Sequence, residues 1–578
     1  MTRLFDDPSR FAEDAAAGFA DAHRAHVRPV PGGVVRARRP ARPKVAVLTG
    51  GGSGHYPAFC GVVGPGFADG AVIGNVFTSP SAEQAVSVGR AAESGAGVLY
   101  LFGNYAGDVM NFGLAARRLT SEGIPATCFA VTDDVASAPA EETAERRGIA
   151  GDFVVFKAAS AAAEEGADLD EVLRVASHAN DRTRTLGVAF AGCTIPGQDA
   201  PLFTVPEGRM GLGLGIHGEP GVAESPLPSA AELASTLVEG LLKEAPAGGG
   251  TRVTAILNGL GGTKYEELYV VWRHVGRLLA DAGLEVVLPE VGELVTSLDM
   301  AGCSLTLCWL DAELERLWAA PADTPAYRRG TVAVTGGGAG AAEPAVSAVP
   351  AGSAGSAGSA ASPGAVLPQA SGDAVAVSST VVELLDRTRD LLHREEERLG
   401  RLDAVAGDGD HGRGMCKGVD AALAAARRAH GDGTAPAGVL AAAGDAWAAE
   451  AGGTSGALWG AGLRALGERL PDDRSPSAEE LAAGAAGALD AVRELGGAQV
   501  GDKTLVDALA PFVAALAEGR GPRAAADAAE EAARETAAMR PRLGRARPLA
   551  ERSVGTPDPG AVSLALVLKA VASGPERG

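Results

Sequence analysis

A low-complexity segment at residues 336–375 prevents the chain from forming one continuous fold. Its sequence, GGGAGAAEPAVSAVPAGSAGSAGSAASPGAVLPQASGDAV, is dominated by Gly, Ala, Ser and Pro. Such residues bury too little apolar surface to offset the entropy lost on ordering, so the segment predicts a flexible linker. If it is a coil, its root-mean-square span is roughly 35 Å. We therefore predict two domains, at 1–335 and 376–578, joined by this linker.

The region before the linker alternates short β-branched runs with helical stretches. KVAVLTGGG (44–52) predicts a strand, and GAGVLYLFGNYAGD (95–108) and GDFVVFKAAS (151–160) repeat its style. A helical stretch lies at 79–95, and residues 252–310 of a second block follow the pattern strand, helix, strand and strand. Strands that alternate with helices predict parallel sheets covered by helices, and so an α/β domain with two α/β subdomains.

The region after the linker is predicted to be nearly all helix. Residues 378–403 begin with a Ser/Thr cap and place apolar side chains at helical spacing. Ala-rich segments continue this pattern at 418–430, 436–451, 454–470, 477–495, 503–518 and 522–540. We therefore expect an all-α bundle or barrel with Gly-rich loops at one end.

Charge and cysteine usage exclude several classes of protein. A net charge of −21 argues against binding to nucleic acid and to anionic membranes. The N-terminal residues lack the apolar core of a signal peptide, and no apolar run approaches the ~18 residues needed to cross a bilayer. The six cysteines include no C-x-x-C pair, which is typical of reduced thiols in a cytoplasmic protein.

An acidic loop, LDAVAGDGDHGRGM (402–415), gathers three carboxylates among glycines: Asp403, Asp408 and Asp410. Carboxylates this close repel one another, and they suit a hard divalent cation such as Mg²⁺. A calcium-binding EF-hand is excluded, because its fifth and twelfth positions would be Gly412 and Val419. A solvated acidic turn that caps the next helix is the alternative.

Three more Gly-rich loops begin helices in the same region. They are AGGTSGALWGAG (451–462) with Thr454 and Ser455, VGDKTLVDALAP (500–511) with Thr504, and RPLAERSVGTPDPGAVSLALVLKA (547–570) with the turn 558–560. Free backbone N–H groups at helix starts suit phosphate, so the loops together predict a nucleotide-holding rim. No Walker A sequence and no D-F-G set is present, which argues against a standard NTPase or protein kinase.

Three polar residues of the first region lie in loops that a small ligand can approach. His55 follows a glycine turn in LTGGGSGHYP (48–57), and Asp108 follows a predicted strand in GNYAGDVMNF (103–112). His217 stands among glycines in MGLGLGIHGEPG (210–221). Ligands of open α/β sheets bind outside the carboxyl ends of the strands. For each residue taken alone, a structural role is the alternative.

The chain resembles the dihydroxyacetone kinase family in its single-chain, ATP-dependent form. The resemblance runs from about residue 15 to the C-terminus, the linker excepted. It rests on GGGSGH, NYAGD, GIHGEPG, VTSLDMAG, LDAVAGDGDHG, GGTSGA, GDKTLVDAL and ERSVGTPDPGA, which occur in family order. The resemblance implies an α/β substrate domain joined by the linker to an all-α, eight-helix nucleotide barrel. It also implies a short ketose substrate, ATP, Mg²⁺ and a homodimer.

By the same resemblance, His217 would bond to the ketone carbon of the substrate as a hemiaminal, which captures dihydroxyacetone but not glycerol. Asp108 would be the general base for the attacking terminal hydroxyl, with help from His55. The sugar would be lined by Gly52, Ser53 and Gly54.

The resemblance also assigns the residues of the nucleotide site. Asp403, Asp408 and Asp410 would hold the Mg²⁺ ions that bridge the phosphates of ATP. The nucleotide would be cradled by His411, Gly412, Thr454, Ser455, Thr504, Asp558, Pro559 and Gly560.

Two positions beside the expected substrate depart from the family pattern. Tyr56 stands where Glu is usual, and Gly103 stands where many members carry Lys. Losing both charged groups frees volume, so a C4 ketose such as D- or L-erythrulose is the alternative main substrate to dihydroxyacetone.

Three other functions occur among proteins that resemble this family. One is a lyase that cleaves FAD to cyclic FMN. A kinase that uses a phosphoprotein donor is disfavoured, because that form separates the two domains into subunits. A non-enzymatic regulator is disfavoured because His217, Asp108 and the three aspartates of the acidic loop are all present.

Overall fold

The computed structural model describes residues 2–331, 372–407, 409–544 and 550–573. Most of the predicted linker, and Asp408 of the acidic loop, lie outside the described residues. The last residues assigned to the linker, 372–375, are described, and they begin a helix instead.

The first sheet provides the edge on which the active-site loops lie. Within residues 2–331 it has the strand order β1-β2-β4-β3-β5-β6. Its strands are β1 (Val27–Val30), β2 (Gly33–Arg36), β3 (Ala46–Ser53), β4 (Gly70–Val76), β5 (Val98–Gly103) and β6 (Ala126–Val131). The accompanying helices are α1 (Phe11–Ala22), α2 (Ala82–Ala92), α3 (Ala106–Ser121), α4 (Asp152–Glu165) and α5 (Leu169–Asp181). Because β3 runs parallel to β4 and β5, the carboxyl ends of these strands meet at one edge.

The second sheet is mixed, as is the first, in which β2 is antiparallel to both β1 and β4, whereas the sequence pattern predicted parallel sheets. Its strands are β7 (Thr183–Ala191), β8 (Arg209–Leu212), β9 (Ala223–Pro226), β10 (Arg252–Gly259), β11 (Glu285–Val286), β12 (Glu290–Gly292) and β13 (Ala301–Trp309). Its helices are α6 (Ala230–Leu242), α7 (Tyr265–Asp281) and α8 (Ala312–Ala319), and β14 (Ala322–Asp323) pairs with β15 (Arg328–Arg329). The central strand β13 is antiparallel to both β10 and β7. The connection from β12 to β13 is too short for the crossover that a parallel strand needs.

The stretch at 151–160, which was expected to be a strand, forms the first part of helix α4. Nearly every residue of α4 is buried, from Asp152 to Ala163. A helix that is buried on all sides has a continuous apolar sequence, so its periodicity does not distinguish it from a buried strand.

The C-terminal region is a ring of helices, as predicted. They are α9 (Gly372–Asp403), α10 (His411–Gly431), α11 (Pro436–Ala451), α12 (Gly453–Gly467), α13 (Ala478–Gly496), α14 (Leu505–Ala517), α15 (Gly521–Glu535), the short α16 (Ala550–Ser553) and α17 (Pro559–Ala572). Successive helices from α9 to α15 pack on one another, and α17 closes the ring against α15 and α9. The predicted fold class, an α/β region followed by a helical barrel, is confirmed.

The two regions of the same chain contact each other through the edge of the first sheet. The backbone N–H of Gly453 donates to the carbonyl oxygen of Ser79 at 3.2 Å. The side-chain amide of Asn111 donates to the carbonyl oxygen of Gly453 at 3.3 Å. A cavity of ≈1350 Å³ lies between the regions and reaches Asp410. The start of α12 therefore rests on the loop that follows β4 and on the start of α3.

Among the described residues, none of the helices combines the length and the apolar character that crossing a membrane requires.

Candidate active site

The glycine-rich end of β3, which the sequence analysis assigned to a turn, lies close to the loop that follows β4. A Cβ atom on Gly52 would lie 2.6 Å from the backbone nitrogen of Thr78, so only glycine fits there. Gly54 has φ of +107°, which favours glycine. Ser53 Oγ donates to the carbonyl oxygen of Gly74 at 2.6 Å, which ties the two strand ends together. The predicted sugar-lining residues therefore lie at the edge where the strands end.

His217 and His55, which are 162 residues apart in sequence, face each other directly. Their Nε2 atoms are 3.0 Å apart. Nδ1 of His55 lies 2.7 Å from the carbonyl oxygen of Thr296, and Nδ1 of His217 lies 3.1 Å from Oε1 of Glu219. Carbonyl and carboxylate oxygens accept only, so each Nδ1 carries a proton. The two Nε2 lone pairs consequently point at each other and share at most one proton.

Burial keeps His55 neutral. The imidazole is 2% exposed, and burial together with the nearby His217 lowers its pKa to about 3. At neutral pH His55 is therefore an acceptor at Nε2, and it can take a hydrogen bond from a ligand hydroxyl. His217 is more accessible, with a side chain that is 22% exposed. Of the two rings, His217 is the one that a ligand carbon can reach.

A buried chain of charges holds His217 in place. Glu219 accepts from the backbone N–H of His217 at 3.0 Å as well as facing its Nδ1. Burial would raise the pKa of Glu219, but His217 and Arg147 lower it well below its usual value. Arg147 in turn donates to Asp134 at 2.9 Å. Glu219 therefore remains ionised and fixes the His217 tautomer that has a free Nε2.

Aromatic rings form the walls around His217. Phe77 stacks on His55 and meets His217 edge-on, with ring centroids 5.1 Å apart in each case. Tyr105 meets His217 edge-on at 4.8 Å. Phe77 adopts a φ of 53°, which is uncommon outside glycine and which turns the chain at the end of β4. These rings exclude water from one side of the imidazole.

Asp108 lies in the first turn of α3 and is 8% exposed. A carboxylate is favoured there by the positive end of the helix dipole. The neighbouring Gly107 lies beside the start of α12, since a Cβ atom on it would be 3.6 Å from the backbone nitrogen of Thr454. The structure thus places the predicted base at the junction of the two regions.

The acidic loop is folded around Asp403. Its Oδ2 accepts from the backbone N–H groups of Gly409 at 2.9 Å and of His411 at 3.4 Å. Asp410 Oδ2 accepts from Thr78 Oγ1 at 3.2 Å, across the contact between the regions. Burial, and then the charge of Asp403, raise the pKa of Asp410. Two carboxylates whose charges destabilise each other fit a hard divalent cation such as Mg²⁺.

Several helix starts of the C-terminal region converge beside this loop. His411 Nε2 lies 2.9 Å from Ser563 Oγ of α17, and its Nδ1 lies 3.5 Å from Ser455 Oγ of α12. Thr504 caps α14. Pro559 and Gly560 begin α17. The predicted rim residues are therefore brought together at one end of the barrel.

Asp558 adds a further carboxyl group to this end of the barrel. It caps α17 by accepting from the backbone N–H of Ala561 at 2.7 Å. Burial raises its pKa to about 7, and the charges of Asp507 and Asp403 contribute. The acidic loop and the start of α17 thus bring buried carboxyl groups together. A bound cation would reduce the repulsion between their charges.

Gly412 has a packing role that the sequence did not reveal. A Cβ atom on it would clash with the carbonyl oxygen of Glu396 in α9. Glycine therefore lets α10 approach α9 closely just after the acidic loop.

Sequence reasoning missed Phe77, Tyr105, Arg147, Glu219 and Thr296 as parts of the site. A signal was present for Glu219 and Tyr105, since both stand inside the motifs GIHGEPG and NYAGD. Phe77, Arg147 and Thr296 come close to the two histidines only through the fold.

Each of the two regions of the chain matches a known family model. A family model for the Dak1 domain matches residues 17–326, and one for the DAK2 domain matches residues 405–573. The chain belongs to the dihydroxyacetone kinase family.

Several relatives are similar to the chain over nearly its whole length. The chain is 61% identical to the D-erythrulose kinase of Mycolicibacterium smegmatis, over 99% of this chain and 98% of the relative. It is 53% identical to the L-erythrulose kinase of Pectobacterium atrosepticum, over 99% and 96%. The crystal structure of the dihydroxyacetone kinase from C. freundii in complex with AMP-PNP and Mg²⁺ superposes with a TM-score of 0.52 at 30% identity, over 99% of each chain.

Proposed function

We propose that erythrulose, and first its D-enantiomer, is the main acceptor of this ATP-dependent ketose kinase. The whole-length likeness to a D-erythrulose kinase supports the C4 substrate. The observation that carries the proposal lies in the site itself, at Gly103, the last residue of β5.

Gly103 leaves the position beside Tyr105 without the charged side chain that many family members carry. The position is closely packed, because a Cβ atom there would lie 3.0 Å from the carbonyl oxygen of Gly148, 3.1 Å from the ring of Tyr105 and 3.3 Å from Oδ2 of Asp152. The ring of Tyr105 is in turn the neighbour of His217. Among the described residues, Oδ1 of Asp152 has no hydrogen-bond partner. The hydroxymethyl group that distinguishes erythrulose from dihydroxyacetone would find a polar partner in Asp152, with no lysine side chain beside it.

The second departure from the family pattern lies at the surface. The Tyr56 side chain is 46% exposed, and its ring lies against Phe19 with centroids 6.0 Å apart. Tyr56 is therefore a surface residue. Of the two departures, only Gly103 supports a C4 ketose.

The geometry of His217 explains why the acceptor must be a ketose. In the proposed reaction Nε2 of His217 attacks the ketone carbon and forms a C–N bond. The Nδ1 proton is passed through Glu219 to solvent, and the carbonyl oxygen takes up one proton from solvent to become a hydroxyl that can donate to Nε2 of His55. A polyol such as glycerol has no carbonyl carbon, so it cannot be held in this way.

We further propose that Asp108 accepts the proton of the terminal hydroxyl as that oxygen attacks the γ-phosphoryl group. Its place beside the start of α12 supports this role. Asp403, Asp408 and Asp410 would hold Mg²⁺, which when bound neutralises charge on the phosphates. Backbone N–H groups at Thr454, Ser455 and Gly560, with His411 and the Thr504 hydroxyl, would orient the nucleotide.

The acceptor is tested by measuring ADP release with ATP and Mg²⁺ on D-erythrulose, L-erythrulose, dihydroxyacetone and glycerol. We expect the highest kcat/KM for D-erythrulose and no turnover of glycerol. A higher kcat/KM for dihydroxyacetone would contradict the proposal. Incubation with FAD in the same assay distinguishes the cyclic-FMN-forming alternative.

Replacing Gly103 with lysine is expected to reverse the preference between ketoses. The added side chain crowds Tyr105 and places a positive charge beside Asp152, which then no longer serves the extra hydroxymethyl group, so kcat/KM for erythrulose falls about tenfold or more relative to dihydroxyacetone. Gly113→Lys is the matched control, because that glycine of α3 has open space around it. An unchanged ratio of the two kcat/KM values in Gly103→Lys would refute the role of this position.

We also propose that residues 376–578 form a nucleotide domain that serves the substrate domain, residues 1–335, of its own chain. The hydrogen bonds of Thr78 with Asp410 and of Asn111 with Gly453 support this arrangement. We propose further that the protein forms a homodimer through the substrate domain and that it is located in the cytoplasm.

Mixing two inactive variants tests whether the domains act within one chain. We expect an equimolar mixture of His217→Ala and Asp410→Asn chains to stay inactive, because each chain pairs its own defective site with an intact one. Recovery of about a quarter or more of the wild-type rate would show that the domains act between chains. Co-expression of the two variants controls for slow subunit exchange.

A further inference from the structure

We propose that His393, Glu396 and Cys416 form a second metal site, which takes a borderline divalent cation of the Zn²⁺ class. The site lies in the seam between α9 and α10, apart from the aspartates of the acidic loop. It is independent of the proposed acceptor.

The helix seam creates the cluster. Gly412 lets the backbones of α9 and α10 approach at Glu396. One helical turn further along α10, Cys416 lies on the same face and reaches back to α9. On α9, His393 and Glu396 are three residues apart and therefore also share a face. Two donors from α9 and one from α10 thus converge across the seam.

The donor atoms are nearly close enough to bind one ion. One atom from each of the three side chains lies within 4.8 Å of the other two. Tetrahedral zinc with metal–ligand distances of 2.0–2.3 Å needs ligand atoms about 3.3–3.8 Å apart. The required contraction is about 1 Å. His393, whose side chain is 40% exposed, and the half-buried Glu396 can supply it by rotation, while Cys416 is held at 4% exposure.

An outer carboxylate already orients the histidine. Nε2 of His393 lies 3.0 Å and 3.1 Å from the two carboxylate oxygens of Asp420, so Nε2 carries a proton and Nδ1 keeps its lone pair. Arg389 donates to Asp420 at 2.9 Å and holds it in place. Metal-binding histidines commonly have such a carboxylate on their second nitrogen.

The chemistry of the three donors selects the ion. A thiolate, an imidazole and one carboxylate suit Zn²⁺, whereas Mg²⁺ prefers oxygen alone. The Cys416 thiol now donates to Glu396, and burial followed by the charge of Glu396 raises its pKa to about 12. Binding therefore forms a metal–sulfur bond and releases the thiol proton to solvent. His393 and Glu396 also line the cavity between the two regions, which leaves a fourth position for water.

Titration of the metal-stripped, reduced full chain with Co²⁺ tests the site, with excess Mg²⁺ present and ATP absent. We expect one equivalent to bind with a near-ultraviolet thiolate-to-cobalt absorption band, and Zn²⁺ to displace it. Cys416→Ser should abolish the band, and Asp420→Asn should weaken Co²⁺ binding by about 10–100-fold.

Matched variants separate this site from other metal binding. Cys128→Ser removes a half-buried thiol outside the cluster, and Asp445→Asn removes an exposed carboxylate paired with an arginine. Both should bind Co²⁺ as the wild type does. Should Cys416→Ser fail to fold by circular dichroism, the exposed His393→Gln variant replaces it and should lose at least tenfold in affinity. A wild type without the band, or a folded Cys416→Ser variant that keeps it, overturns the proposal.

Discussion

Replacing His217 with alanine is expected to abolish phosphorylation of every ketose, with kcat/KM falling about 10³-fold or more. The ligand is small and offers few other contacts, so the covalent bond supplies most of its positioning. The measurements are ADP release with erythrulose and dihydroxyacetone, and mass spectrometry of the intact protein, which detects the covalent adduct without borohydride treatment.

Two further variants make this result specific. Glu219→Gln keeps the imidazole but no longer accepts a proton from Nδ1, so we expect an intermediate loss of kcat/KM and less adduct. His274→Ala changes a histidine of α7, outside the site, and should leave activity unchanged. The hemiaminal role is wrong if His217→Ala keeps a tenth of the wild-type kcat/KM on either ketose.

Replacing Asp410 with asparagine should lower kcat by about 10²-fold or more, because one carboxylate ligand for the cation that balances the phosphate charge is lost. The same variant should be more stable than the wild type. Burial raises the pKa of Asp410, so its charge destabilises the folded state at pH values above that raised pKa. The neutral amide removes this penalty. Loss of activity together with a higher Tm, measured without Mg²⁺, is therefore expected.

Controls distinguish metal binding from loop folding. Asp403→Asn should also lose activity, but it weakens the hydrogen bonds to Gly409 and His411 and should not gain stability. Asp432→Asn changes an exposed carboxyl at the opposite end of α10 and should behave as the wild type. An Asp410→Asn variant with normal kcat at saturating Mg²⁺ and a lowered Tm would contradict both parts of the prediction.

Local sequence signals predicted much of the site. GGGSGH predicted a turn that approaches a small ligand; most of its glycines instead end strand β3, where Gly52 has no room for a side chain. The Ser/Thr and Pro signals at 454, 504 and 559 marked helix starts, which the structure confirms. Turns and caps are local in sequence, so their residue types suffice to identify them.

Contacts between residues far apart in the chain could not be predicted from local sequence signals. The Thr296 carbonyl that fixes the tautomer of His55 is 241 residues away in sequence. Phe77 carries no local sequence signal, because its stacking on His55 depends on the pairing of β3 with β4. The stretch at 151–160 was assigned to a strand because burial on all sides removes the helical period.

The sequence by itself determined the division into an α/β region and a helical region, the starts of helices α12, α14 and α17, and the family. Each of these depends on residues near one another in the chain. Only the tertiary structure decided that His55 and His217 face each other, that Glu219 and Arg147 stand behind them, and that α12 rests on the start of α3. Such pairs are set by the packing of whole elements, which residue type and spacing do not encode locally.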